Sequence, residues 1–468
     1  MSTEISPTPP TGETPTNGSA TKNRPTRKSR MDDRPQWQRV LWAAMLGNIV
    51  EWYDNALYGI LAVTMATTFF PEGDRTAAMI STYLGLALSY AVRPIGGAVI
   101  GRFGDTKGRR WVLTFTILLM SIGTVGIGLI PGYASIGIAA PILLAGCRLL
   151  QGLGASAEYT TAANFLLEHA PKGRRNYLSG WSVASTSMGP FLACIVALIA
   201  INSMSQDAFD SWGWRILFLL AAPLSLLTII IRRHTEESEA FKEVMEEVEE
   251  EHIEQKPFTE AVTRHWKDMA KAIGLGAGQR VGSFMIQSYF VAALLQAGFA
   301  TGDALLASMM TYIVGVPAAI WGGRVADRHG GRPLLIVGYV TFAIITVPTF
   351  IGIESKSLWF ACVAVIVFTV MNNIIGAPLT TAYVMSFPPN VRNVAAGINY
   401  NVGTTLLGGS APILASWFYG MSGTDVSFGV YMAVICLLSA AVALWAFPAS
   451  IDEDRVHSTT DTEEKENE

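Results

Sequence analysis

From Val40 onward the chain alternates long apolar runs with short polar connections. A helix that crosses a bilayer needs ~20 predominantly apolar residues. On that ruler the first half predicts six spans, over 40–68, 77–101, 111–130, 136–169, 176–201 and 214–231. The second half predicts six more, over 269–297, 304–322, 333–352, 357–387, 394–420 and 427–448, making twelve. Residues 1–35, rich in Ser, Thr, Pro, Lys and Arg without apolar periodicity, predict a disordered tail. Residues 232–268 read as a charged linker in which Phe241, Val244 and Val248 form a stripe among acids, the pattern of an amphipathic helix. Residues 450–468 read as a short acidic tail without heptads. The first apolar run is too long for a secretory signal peptide, and Met31 is an alternative start. The expected fold is an all-α membrane protein with an N-terminal six-helix bundle over 36–231 and a C-terminal one over 269–449.

Composition narrows the class. Half of the residues are hydrophobic, only 15% are charged, and mean hydropathy is +0.35, whereas soluble domains carry about 25% charge. Cys147, Cys194, Cys362 and Cys436 are scattered through apolar runs and suit neither a metal site nor a disulfide frame. The net charge of −4 comes with no basic surface for nucleic acid. No nucleophile–base pair or metal cluster suggests an enzyme or a cofactor. The partners expected are lipid, protons and a small solute, with a functional monomer.

Lys and Arg placement sets the orientation. Arg102, Lys107, Arg109 and Arg110 follow span two, Lys172, Arg174 and Arg175 follow span four, Arg324, Arg328 and Arg332 follow span eight, and Arg392 follows span ten. The opposite connections hold only Arg75 and Lys356, which puts both termini and the linker in the cytoplasm.

Two internal echoes imply duplication. The loop Gly101-Arg102-Phe103-Gly104-Asp105-Thr106-Lys107-Gly108-Arg109-Arg110 returns as Gly323-Arg324-Val325-Ala326-Asp327-Arg328-His329-Gly330-Gly331-Arg332. The start of span five, Arg175-Asn176-Tyr177-Leu178-Ser179-Gly180, returns at span eleven as Arg392-Asn393-Val394-Ala395-Ala396-Gly397. Paired halves in a membrane protein suit a transporter that rocks about its middle. In the loops, Gly101 and Gly108 permit a tight turn and Asp105 can cap or pair with a neighbouring helix end. With Arg109, Arg110, Asp327 and Arg328, these residues form an expected gate; topology-setting charge alone is the plainer alternative.

Ionisable residues inside the spans are the candidate chemistry, because each is costly in lipid. Span one carries Glu51 and Asp54, on one broad face with Asn48, Asn55 and Tyr58. Two carboxylates one turn apart cannot both ionise cheaply, which suits a proton carrier; a hydrogen-bonded polar seam is the alternative. Span four carries Arg148, Gln151 and Glu158 among small residues, span two adds Arg93 and span seven adds Arg280. These cations and acids can simply neutralise one another. They can also line a cavity in which an arginine binds a substrate carboxylate while an acid cycles its proton. Trp52, Tyr53, Tyr58, Trp181, Tyr289 and Tyr383 could cage an ammonium group or serve as packing.

The loop at 101–110 closely resembles the signature between helices two and three of the major facilitator superfamily. Gly47–Gly59 (GNIVEWYDNALYG), Arg93–Gly97 (RPIGG), Gly126–Gly152 ending in CRLLQG, Glu158-Tyr159, Trp212–Arg215 (WGWR) and Glu237–Phe241 (ESEAF) resemble its metabolite:proton symporter family. That family includes proline/betaine, 2-oxoglutarate, citrate and shikimate transporters. The resemblance implies roles for Asp54, Arg148 and Glu158 in coupling and substrate binding. Asn55, Gly154–Ala157 and Ser283 depart from the family pattern. The expected protein is a proton-coupled symporter in a bacterial cytoplasmic membrane, importing an organic acid or a compatible solute such as proline or betaine. A proton-driven exporter, suggested by Gly189-Pro190 in span five, is the alternative.

Overall fold

The computed structural model describes residues 36–71, 75–233, 245–246 and 257–445. The expected tails at 1–35 and 450–468 and the stripe at Phe241, Val244 and Val248 lie outside the described residues. The principal helices are α1 (Gln36–Ile60), α2 (Ala62–Phe69), α3 (Arg75–Thr106), α4 (Arg109–Leu129), α5 (Ala139–Glu168), α6 (Arg175–Ser203), α7 (Trp214–Leu219) and α8 (Ala221–Arg233). After the linker come α9 (Pro257–Arg264), α10 (Trp266–Phe284), α11 (Phe290–Gln296), α12 (Thr301–His329), α13 (Gly331–Glu354), α14 (Leu358–Met385), α15 (Arg392–Gly403), α16 (Ala411–Ser422) and α17 (Val426–Trp445).

Helix dominates because lipid offers no partner for a free backbone N–H or C=O. Among the described residues, nine helices are long and apolar enough to cross a membrane. The expected first, seventh and eleventh spans fall on helices with local breaks. One breaks at Leu61, one at the π-turn Met285–Tyr289 and one at the π-turn Thr404–Gly408. The outer surface is apolar: Ile95, Ile138, Ile344 and Ile413 are each at least 64% exposed. Polar Asn48, Arg148, Glu158 and Asn399 are fully buried. This inverted distribution suits a lipid solvent and would be untenable as an exposed patch in water.

Among the helix pairs that join the halves of the chain, α6 lies along α12 and α3 lies along α15. The α3–α15 approach is close enough that a Cβ on Gly97 or on Gly397 would lie 3.2 Å from a backbone oxygen of the other helix. The echoed segments 101–110 and 323–332 are not loops. Helix α3 continues through Thr106 and α12 through His329, leaving only Lys107-Gly108 and Gly330 to break the chain. Gly108 and Gly330 do so at φ 95° and 90°, a region that a side chain disfavours. The expected linker is also shorter at its start, because α8 runs to Arg233 and draws Arg232 into the interior.

Close packing inside the first half makes a test. A Cβ on Gly152 of α5 would meet the Ser89 carbonyl oxygen of α3 at 2.3 Å, whereas one on Gly146 of the same helix meets nothing. Gly152→Ala is expected to cost about 1–3 kcal/mol and to lower the thermal midpoint of detergent-purified protein, with Gly146→Ala unchanged. Equal midpoints for the two variants would contradict this contact.

Candidate functional site

Three acid–arginine pairs cross the interior of the first half. Asp54 on α1 receives hydrogen bonds from Gln151 Nε2 at 2.8 Å and Thr124 Oγ1 at 3.0 Å on its Oδ1. Its Oδ2 lies 3.7 Å from Arg148 Nη1, which also donates to Gln151 Oε1 at 2.7 Å. The Arg148 guanidinium covers the Tyr58 ring at 4.1 Å, and the Tyr58 hydroxyl donates to the Thr82 carbonyl. One compact cluster thus gathers four expected residues: Asp54, Arg148, Gln151 and Tyr58.

Glu51, one turn away on α1, takes a separate partner. Its Oε1 accepts from Arg93 Nη1 at 3.2 Å, and Arg93 lies 4.3 Å over the Tyr90 ring. Glu158 is apart again, on the stretch of α5 nearer its C-terminal end. It pairs with Arg232 of α8 and accepts from Thr116 Oγ1 at 2.6 Å. A Cβ at Gly47 would collide with both members of this pair, so a side chain there would push them aside. Gln151 and Glu158, seven residues apart on α5, thus do not meet at one partner. Each faces a different neighbour, and Glu51 and Asp54 likewise point to different arginines. Arg232 and the two threonines were missed from sequence. Arg232 stands at the end of an apolar run, where an arginine reads as a topology signal.

Arg280, on α10 in the second half, is buried and pairs with none of these acids among the described residues. It lies 5.7 Å from the ring centroids of both Tyr383 and Tyr400. A polar cleft of about 30 Å³ starts one turn further along α10 at Ser283 and is lined also by Gln287, Ser187, Thr311 and Asn372.

At the end of the molecule rich in basic residues, the two sequence echoes meet. Asp105, in the last turn of α3, accepts the Asn393 and Val394 backbone N–H groups at 3.1 and 3.0 Å, capping α15. Asp327, in the last turn of α12, accepts those of Asn176 and Tyr177 at 2.9 and 2.8 Å, capping α6. A carboxylate at a helix N-terminus satisfies orphan donors and opposes the positive end of the helix dipole. Each acid of the first echo therefore binds the second echo of the opposite half. Gly101 allows this approach, because a Cβ there would lie 3.3 Å from the Asn393 oxygen.

The first copy is reinforced. Arg109 lies 3.6 Å from Asp105 and donates to Glu168 at 3.1 Å and to the Pro389 carbonyl, while Arg392 donates to the same Glu168 oxygen at 3.2 Å. Arg110 reaches the Arg233 carbonyl at 2.9 Å. Arg328 is exposed and has no counterpart to these contacts among the described residues. Glu168 was missed because it ends an apolar helix beside a basic loop, with no pattern of its own.

An apolar, lipid-facing helical shell around paired charges, with its halves joined by mutual helix capping, has the architecture of a membrane transporter. The chain belongs to the Major Facilitator Superfamily, which it matches over residues 44–409. It is a solute transporter and not an enzyme, a multi-pass protein of the cytoplasmic membrane. A proline/betaine transporter of Salmonella typhimurium is 31% identical over 415 residues, covering 87% of this chain and 82% of that protein. The glycine betaine/proline/ectoine/pipecolic acid transporter OusA of Dickeya dadantii is 30% identical, covering 88% and 84%. Among solved structures, the proton:xylose symporter XylE bound to 6-bromo-6-deoxy-D-glucose shares the fold. Its TM-score is 0.73 at 20% identity, over 88% of this chain and 95% of that one. The E. coli fucose:proton symporter FucP gives 0.67 at 12% identity, over 89% and 100%.

The capping contacts are testable. Ser179, buried against Thr381 at 2.8 Å near the same end, can be changed to Cys with the four native cysteines replaced. Maleimide should label Ser179→Cys several-fold faster when Asp105→Asn and Asp327→Asn are combined. An unchanged rate would remove the caps from the forces that hold this end shut.

Proposed function

We propose that this protein is a proton-coupled symporter that imports a small carboxylate-bearing solute by alternating access. The solute would be an organic acid or a compatible solute such as proline or betaine, in line with the names of the similar transporters. In this reading twelve spans form two six-helix bundles over 36–231 and 269–449, and both termini face the cytoplasm. The basic end is then cytoplasmic. Gly101, Asp105, Gly108, Arg109, Arg110, Asp327 and Arg328 belong to its gate, and the protein works as a monomer.

The observation that carries the coupling is the Asp54–Arg148 pair with its Gln151 and Thr124 hydrogen bonds. With Asp54 ionised and no substrate, the pair is neutral. A proton on Asp54 frees Arg148 from its partner, and the low dielectric penalises that unmatched cation until a polar group of the solute reaches it, so proton and solute move together. Glu51 with Arg93 and Glu158 with Arg232 obey the same logic, and Arg148, Gln151, Tyr58, Arg93 and Arg280 line the proposed cavity. The exporter alternative gains nothing from Gly189, whose close approach to the Ile49 carbonyl of α1 accounts for it as packing.

Uptake of labelled carboxylates and betaines into energised proteoliposomes tests the reading. Accumulation that survives collapse of the proton gradient would refute the coupling. Asp54→Asn should abolish accumulation while sparing solute exchange; wild-type accumulation would take Asp54 out of the mechanism. Glu158→Gln strands Arg232 and should cost about 3–5 kcal/mol of stability. Adding Arg232→Met should restore the thermal midpoint without restoring accumulation. Recovery of both would reduce Glu158 to a structural role.

A further inference from the structure

Six arginines are buried among the described residues: Arg93, Arg109, Arg148, Arg232, Arg280 and Arg392. Five of them face a carboxylate, on Glu51, Glu168, Asp54, Glu158 and again Glu168 respectively. Among the described residues Arg280 forms no ion pair, although it is only 3% exposed. Its Nη1 reaches the Ile273 carbonyl at 3.3 Å, and its Nη2 meets no hydrogen-bond acceptor. The faces of Tyr383 and Tyr400 attract a cation without cancelling its charge. Arg148 also has an Nη2 without an acceptor, but Asp54 matches its charge.

The fold makes room for this guanidinium. A Cβ at Gly276 would lie 2.4 Å from its Nη1, and one at Gly403 would lie 2.7 Å from the same atom. Gly403 directly precedes one π-turn, and Arg280 lies one turn before another. Such interruptions in a helix gather at functional positions. A buried charge without a partner is destabilising and persists only where it has another use.

We propose that Arg280 anchors the carboxylate of the transported solute, and that the solute carries a single carboxylate. The proposal rests on the symport reading for its premise that the cargo bears a carboxylate, and it separates the roles of the proposed cavity arginines. Arg280 can receive a carboxylate without first breaking an ion pair, and its planar fork suits bidentate binding. Arg93 and Arg148 become receptive only when Glu51 or Asp54 is protonated. One uncompensated cation balances one carboxylate; a second would have to displace a resident acid. One turn further along α10, Ser283, Gln287, Ser187, Thr311 and Asn372 line a separate cleft with neutral hydrogen-bonding groups. Tyr400 stacks on Tyr159 of α5 at 4.8 Å, which sets the anchor where the two halves touch.

The test uses the full-length protein, purified and reconstituted. Proline and betaine serve as monocarboxylates, prolinamide as the probe without a carboxylate, and 2-oxoglutarate as the dicarboxylate. Arg280→Gln should raise KM for the transported monocarboxylate on the order of a hundredfold, with Arg280→Lys recovering part of the loss. Without solute, Arg280→Gln should melt above the wild type, because an uncompensated buried charge is gone, and monocarboxylate should no longer stabilise it. A residue with only a structural role would give the opposite shift. A KM within twofold of wild type in Arg280→Gln overturns the anchor. Preference of the wild type for 2-oxoglutarate overturns the single-carboxylate class. Should Arg280→Gln fail to fold, Gly403→Ala retains the arginine and displaces its guanidinium; its KM should rise at least tenfold, and an unchanged KM overturns the proposal. If the wild type moves none of the carboxylates, both this proposal and the symport reading fall. If it accumulates them without a proton gradient while Arg280→Gln does not, only the coupling falls and the anchor stands.

Discussion

A charge inside a membrane protein is costly unless something nearby offsets it, and the interior of this chain is organised around that cost. Glu51, Asp54 and Glu158 each take a separate arginine, and each pair ties different helices together: α1 to α3, α1 to α5 and α5 to α8. The pairs are therefore both struts and switches. Removing a charge from one member leaves the other exposed to the same cost. A proton is the lightest agent able to do that, which is why coupling chemistry and helix packing meet in the same residues.

The two halves share a scaffold but divide the chemistry. Asp105 and Asp327 play one architectural role twice, each capping a helix of the opposite half, and Gly108 and Gly330 end their helices with the same backbone turn. The first copy alone recruits Arg109, Glu168 and Arg392 into an ion network. The pairs Glu51–Arg93, Asp54–Arg148 and Glu158–Arg232 also belong to the first half, whereas the second half holds the unmatched Arg280 among tyrosines. The repeated motifs form a common frame, and the buried charge is distributed unequally between the halves.

Much of the candidate site was legible from residue type and position. Asp54, Arg148, Gln151 and Tyr58 stood out as polar side chains in apolar spans, and they do form one cluster. Helical spacing could not tell which neighbour each would meet. Gln151 and Glu158 share a face of α5, yet one turns to α1 and α4 and the other to α4 and α8. Arg232 and Glu168 carried no signal, because a charged residue at the end of an apolar run is normally explained by the membrane surface.

By itself the sequence determined the helical class, the approximate span positions and the duplication. These follow from local quantities: the apolar length needed to cross lipid, the side-chain period of a helix and the repetition of short motifs. It also located the charges that needed an explanation. Only the tertiary structure decided their pairing, the reach of Asp105 and Asp327 into the opposite half and the isolation of Arg280. Charge compensation depends on distances between helices far apart in the chain, and no local pattern encodes those distances.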